Sequence, residues 1–313
     1  MKLQSSYLFN ILKLEIMYKI LLHVIISLLS MMVFGQDFQG VATYESKTSM
    51  ADFKSNFANN KDITPEMQKN IEERMKKMFE KTFVLNFDKS ASIYTEEEKL
   101  DAPGSNGGGR MMSSMMGGGG IHYKNIKEKN FTIAKEMMGK EFLIKDTIPQ
   151  LAWKMGQETK QIGDYLCFKA TAMKKADKSD FRNFRMKKQE ENKGKTTATT
   201  EKPKTTNFME MGEIPKEIEI VAWYTPDIPI SNGPENYFGL PGLILEVSAG
   251  KTTLLCSKII LNTKDKKEIK APKNGSEVTQ KEYDEIVMKK MDEWREMSQG
   301  RGAQGGMQIR MGR

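Results

Sequence analysis

Four methionines in two pairs, Met111-Met112 and Met115-Met116, sit inside a glycine-rich run and are the side chains best suited to metal chemistry. Thioether sulfur is a soft ligand, so the spacing points to Cu(I) handling; the alternative is a low-complexity loop that binds nothing. Cys167 and Cys256 are the two cysteines. An even pair in an oxidising compartment points to a disulfide, and the alternative is two buried thiols. Asp227, Glu235 and Tyr237 are the polar residues of a turn-rich connection, the kind of segment that carries ligand sites. His122 follows the glycine run, which predicts a solvated side chain. With so little histidine, no Ser-His-Asp or Cys-His arrangement and no histidine metal site can be assembled, and no catalytic residue is assigned.

These residues belong to a chain of 313 residues with 38% hydrophobic and 29% charged side chains. That composition excludes a disulfide-dense mini-protein, a collagen and a multi-pass membrane protein. Residues 1–35 read as a targeting segment. From Met17 the chain has an early Lys19, an apolar run of about 15 residues and a small Gly35, the pattern of a cleaved secretory signal. Met17 is a second candidate start, and the apolar run falls short of the roughly 20 residues that span a bilayer. The expected location is therefore the periplasm or the exterior. Removing three lysines and one glutamate lowers the net charge from +8 to +6 and takes His23 away.

From Gln36 the pattern predicts mainly strands. Runs of alternating polarity occur at 40–48, 82–88, 91–96, 121–124, 130–136, 140–146, 152–155, 158–162, 165–173, 218–225, 243–248 and 252–261, separated by Gly, Pro, Asn and Asp turns. Short strands with tight connections imply antiparallel pairing. Thr64 and Pro65 open a helix with a Met67, Ile71, Met75, Met78 stripe. Thr279 and Glu282 form a capping box before a second helix, with Tyr283, Val287, Met291 and Trp294 on one side. Residues 101–120 and 174–215 are expected to be flexible loops, and 299–313 a disordered tail. In Leu240-Pro241-Gly242-Leu243, Pro at the first central position and Gly at the second are what a type II turn requires.

The string Gly239-Leu240-Pro241-Gly242-Leu243-Ile244 resembles the signature of the GLPGLI family, exported proteins of Bacteroidota without an assigned activity. Trp153, Glu158, Lys160, Ile162, Tyr165, Cys167, Lys169 and Ala170 resemble its central block, and Phe142 to Asp146, Trp223-Tyr224-Thr225, Ile228-Pro229, Gly233-Pro234 and Tyr237 follow its pattern in order. The likeness runs from Gly40 to about Leu261 and carries over no functional residue.

The expected fold is one β domain over 36–298: an antiparallel, strongly curved, half-barrel-like meander with two peripheral helices. Its concave face would take an apolar ligand or a partner such as an outer-membrane transporter. Trp153, Trp223, Asp227, Tyr237, Gly239, Leu240, Pro241 and Gly242 are the ligand or partner candidates. Copper on the methionine loop is the alternative function, and no other cofactor is expected. Nucleic acid is excluded for want of a compact basic and aromatic motif.

Overall fold

In strands β1 (Gln39–Thr48) and β2 (Thr82–Asp88) alternate side chains turn inward, and the pairing carries that alternation from strand to strand. Ala42 faces Leu85, which faces Tyr94 on β3 (Ala91–Glu96), which faces His122 on β4 (Ile121–Asn125), which faces Ile133 on β5 (Asn130–Met137), which faces Ile144 on β6 (Lys140–Thr147). On the other side of β1 the sequence runs in reverse order. There β13 (Thr252–Leu261), β12 (Leu243–Ala249), β11 (Glu217–Thr225), β8 (Tyr165–Lys175) and β7 (Lys154–Ile162) follow one another to the far edge.

The computed structural model describes residues 15, 17–21, 23, 38–49, 64–97, 119–176, 185–186, 212–213, 215–262 and 267–302. They form a twelve-stranded sheet, β14-β6-β5-β4-β3-β2-β1-β13-β12-β11-β8-β7, in which β14 (Ser276–Val278) runs parallel to β6 and every other pair is antiparallel. A separate two-residue ladder joins β9 (Arg185–Met186) to β10 (Gly212–Glu213), inside the segment expected to be a bare loop. Residues Met1–Phe38 form a compact unit apart from Gln39–Arg313; the residues described in it at 15–23 are helical. Among the described residues no helix is long and apolar enough to cross a membrane.

The sheet is open, yet it must curve strongly. Strands β6 and β7 stand ten steps apart in the order, a path of about 48 Å if flat. The chain crosses between them in residues 148–153, which reach about 25 Å at full extension. The expected strongly curved, half-barrel-like sheet is therefore present, but as two arms meeting at β1 and β13 rather than one meander.

Thr64 accepts a hydrogen bond from Met67 N (3.2 Å) and Pro65 takes the first helical position, giving α1 (Pro65–Phe79). The side chains of Ile71, Met75 and Met78 lie outside the described residues. The second helix, α2 (Gln280–Gly302), begins with a reciprocal capping box. Thr279 N donates to Glu282 Oε2 (2.7 Å) and Glu282 N donates to Thr279 Oγ1 (3.3 Å). The bonds that Thr279 donates to it from N and from Oγ1 (2.9 Å) hold the Glu282 carboxyl below its ordinary pKa. Tyr283 and Val287 pack into a core with Phe131, Ile133, Met137, Phe142, Ile144, Ile148 and Phe238, so α2 closes the inner face beside β5 and β6. The helix runs to Gly302, four residues into the segment expected to be a disordered tail. The side chains of Met291 and Trp294 and residues 303–313 lie outside the described set.

Two smaller expectations change. The runs at 152–155 and 158–162 are one strand, β7, whose register against β8 shifts between Met155 and Thr159. Gly156, Gln157 and Glu158 there stand against Lys169, a bulge that reads in sequence as a break. His122 is not solvated. It faces inward on β4, half-buried, with its ring edge-on to Tyr94 at 6.0 Å.

Candidate functional site

The ladder β11–β12 is interrupted at one end of the sheet by residues 226–242, and this connection turns back into the curve instead of leaving it. Its path is a series of three-residue turns. Ile230 N donates to Ile228 O, Asn232 N to Ile230 O and Gly242 N to Leu240 O, at 2.7–2.8 Å. Pro229 and Pro241 are the central residues of the first and last, where a ring-fixed φ suits the turn. Leu243 N then donates to Ile228 O and Ile244 N to Asn232 O, tying the loop to the start of β12.

The expected type II turn at Leu240–Leu243 is therefore replaced by a tighter one. Gly242 does not take positive φ; the loop glycine that does is Gly239, at +96°. Gly242 is needed for space, since a Cβ there would drive into the Thr225 carbonyl, and a Cβ on Gly233 would meet Ile244 at 2.8 Å. Sequence showed that glycine was required, but not that close approach was the cause.

Lys124 is the centre of the site. It lies on β4 with 1% of its surface exposed, and its Nζ donates to the carbonyls of Gly233, Glu235 and Tyr237, each at 2.9 Å. Three ammonium hydrogens meet three acceptors from alternate residues of the loop, and Glu235 takes a φ of +48° in that stretch. Burial lowers the Lys124 pKa to about 7, opposed by the nearby charge of Glu235. Further bonds surround the loop: Ser92 Oγ on β3 donates to Asn232 Oδ1 (3.4 Å), Trp153 Nε1, just before β7, donates to Phe238 O (2.8 Å), and Tyr44 Oη on β1 donates to Ile244 O (2.7 Å) at the start of β12. Ile228, Ile230, Asn232, Tyr237, Phe238 and Leu240 are buried. No sequence signal singled out Lys124 beyond its inward register with His122.

The candidate residues thus divide. Trp153, Tyr237, Gly239, Leu240 and Gly242 come together in this loop, with the Trp153 ring lying against Gly239. Tyr237 is a core residue, Glu235 contributes its carbonyl to Lys124 and Asp227 is exposed. Pro241 is exposed at the loop's end. Trp223 points to the outer face, in the row Lys169, Trp223, Glu246, Leu255, Glu45 across five strands. There Lys160 Nζ lies 5.3 Å over the Trp223 ring and 2.5 Å from Glu246 Oε2, and Lys169 pairs with Glu158 at 2.9 Å.

Of the two alternatives for the cysteines, the structure has two buried free thiols and no disulfide between them. Strands β8 and β13 are separated by β11 and β12. Three steps place the backbones about 14 Å apart, against a limit of about 7 Å between bonded Cα atoms. Burial raises the Cys167 thiol to about 11 and the Cys256 thiol to about 12. Met111, Met112, Met115 and Met116 lie outside the described residues. The strand ends that carry their loop are stapled: Glu96 Oε2 accepts from Lys81 Nζ (2.9 Å) and from Gly119 N (2.8 Å). Among the described residues no group of three or more His, Cys, Asp or Glu is placed to hold a metal ion.

Residues 153–246 match the model of a family described as "Protein of unknown function (Porph_ging)", an uncharacterised family found in Bacteroidota. The matched span begins at Trp153 and holds the whole of loop 226–242. No curated protein matches the chain. Two solved structures of PNGF-II, in C2 and P21 space groups, are similar at TM-scores of 0.43 and 0.42 with 13% identity, over 80% of this chain and 33% of theirs. The chain spans about a third of the length of those structures.

Proposed function

We propose that the chain is a non-catalytic binding module of the cell envelope that engages a protein partner, such as an outer-membrane transporter, rather than a carrier holding an apolar molecule in its curve. The observation that supports this reading is that loop 226–242 and α2 already fill the inner face, where Phe131, Ile133, Leu240 and Phe238 are buried. The end of the sheet opposite that loop has a different character. By the strand directions, the connections 49–64, 97–120 and 176–216 all leave from it. Long connections that start from one end of a sheet suit recognition.

The test is cross-linking and gentle extraction from the native envelope. The full chain is compared with variants in which 98–118 or 177–211 is replaced by a tight turn. A protein recovered with the full chain and lost from a shortened variant is the expected result. A bound lipid without any protein partner would overturn the reading.

A further inference from the structure

The two edges of the sheet are treated unequally. One ends in β14, three residues long. The other ends in β7, nine residues long, paired on one side to β8 and exposed along most of its length. A long edge with unpaired peptide groups is a template for another strand unless charge or shape blocks it. A lysine in mid-strand is such a block, since it would be buried against whatever pairs there. In β7, however, Lys160 is preceded two residues earlier by Glu158.

We propose that β7 is a self-recognition edge, pairing antiparallel with β7 of a second copy of this chain about a two-fold axis at Thr159. In that register Glu158 of each copy stands opposite Lys160 of the other and Gln157 opposite Gln161. Shifting the axis to 158 sets Glu158 against itself; to 160, Lys160 against itself. Like charges directly opposite are destabilising and opposite charges favourable, so the charges favour the axis at Thr159 over its two neighbours. The bulge at Gly156–Glu158 bends the strand and confines the new ladder to about five residues per copy. The side chains that key it are accessible: Glu158 is 64% exposed and Lys160 40%. Their present partners, Lys169 and Glu246, lie on the outer face and extend the ion pairs into a network across the axis.

The experiment is sedimentation of the full chain over a concentration series, with melting temperature followed in parallel. Wild type is expected to form a concentration-dependent dimer. Glu158→Lys is expected to be monomeric with a melt close to that of wild type, and Lys160→Glu monomeric with a lower but still cooperative melt, because it sets a carboxylate against Glu246. The double variant Glu158→Lys/Lys160→Glu, which restores opposite charges, should recover the dimer. Thr159→Pro, which removes an edge N–H, gives a second way to block the ladder. A monomeric wild type overturns the proposal, as do single reversals that dimerise like wild type or a double variant that stays monomeric.

Discussion

Two neighbouring rows of side chains cross the same strands, one residue out of step, and they have nothing in common chemically. The inner row, Ala170, Ala222, Val247, Leu254 and Ser46, is buried throughout and starts with the smallest side chains on β8 and β11. The outer row, Lys169, Trp223, Glu246, Leu255 and Glu45, is charged or aromatic apart from Leu255, which is 40% exposed. The difference teaches where the energy of this fold is held. The inner face makes room for loop 226–242 and is completed by it, so its polar contacts are desolvated and costly to break. The outer contacts are only partly shielded, with Lys160 40% and Glu158 64% exposed, and count for less.

The contrast is broken most directly at Lys124. Lys124→Met leaves three buried carbonyls without a donor and should cost about 3–5 kcal/mol, read from urea unfolding midpoints. Gly242→Ala should cost about 3 kcal/mol, because the added carbon meets backbone rather than a side chain that can turn aside.

A pH series sharpens the same point. In the fold Lys124 has a pKa of about 7, against about 10.4 in the unfolded chain. The unfolded chain therefore binds more protons above pH 7, and stability should rise by about 2 kcal/mol between about pH 7 and about pH 8.5. The thiols act in the opposite sense. Their folded values of about 11 and 12 exceed the unfolded value of about 8.5, so stability should fall from there upward. Lys124→Met should lose the rise and keep the fall; a rise that survives the substitution would assign it to another group.

Tyr44→Phe removes the hydroxyl bond to Ile244 O and should cost about 1 kcal/mol. Lys160→Met on the outer face should cost under about 1 kcal/mol and become neutral at high salt. An outer substitution as damaging as Tyr44→Phe would erase the distinction between the rows.

Much of the fold could be read because alternation is a local property. The strands at 40–48, 82–96, 130–147 and 243–261 all appear where polarity alternates, and the capping box at Thr279 marks its helix correctly. What could not be read depends on contacts distant in sequence. β14 is three residues with no pattern and exists because β6 receives it. The bulge in β7 looks like a gap because its extra residues have no local signature. Cys167 and Cys256 count as a pair in the sequence, but strand order keeps them apart. The loop glycines were legible as backbone requirements, whereas Lys124 was not, because a lysine on a strand looks solvated until the loop that covers it is in place.

The partnership of β1 with β13 sets an order of events for the chain. Gly40 finds its place opposite Leu261, about 220 residues later, and such distant pairings are slow to form. The arm β1 to β6 can assemble hairpin by hairpin from its own residues. Loop 226–242 and the reversed arm that carries it arrive later, so Lys124 and the aromatic side chains around it stay wet until then. The exposed inner face of the first arm is thus the most aggregation-prone stage of folding, and a slow phase that ends when β13 docks is the kinetic signature this topology should leave.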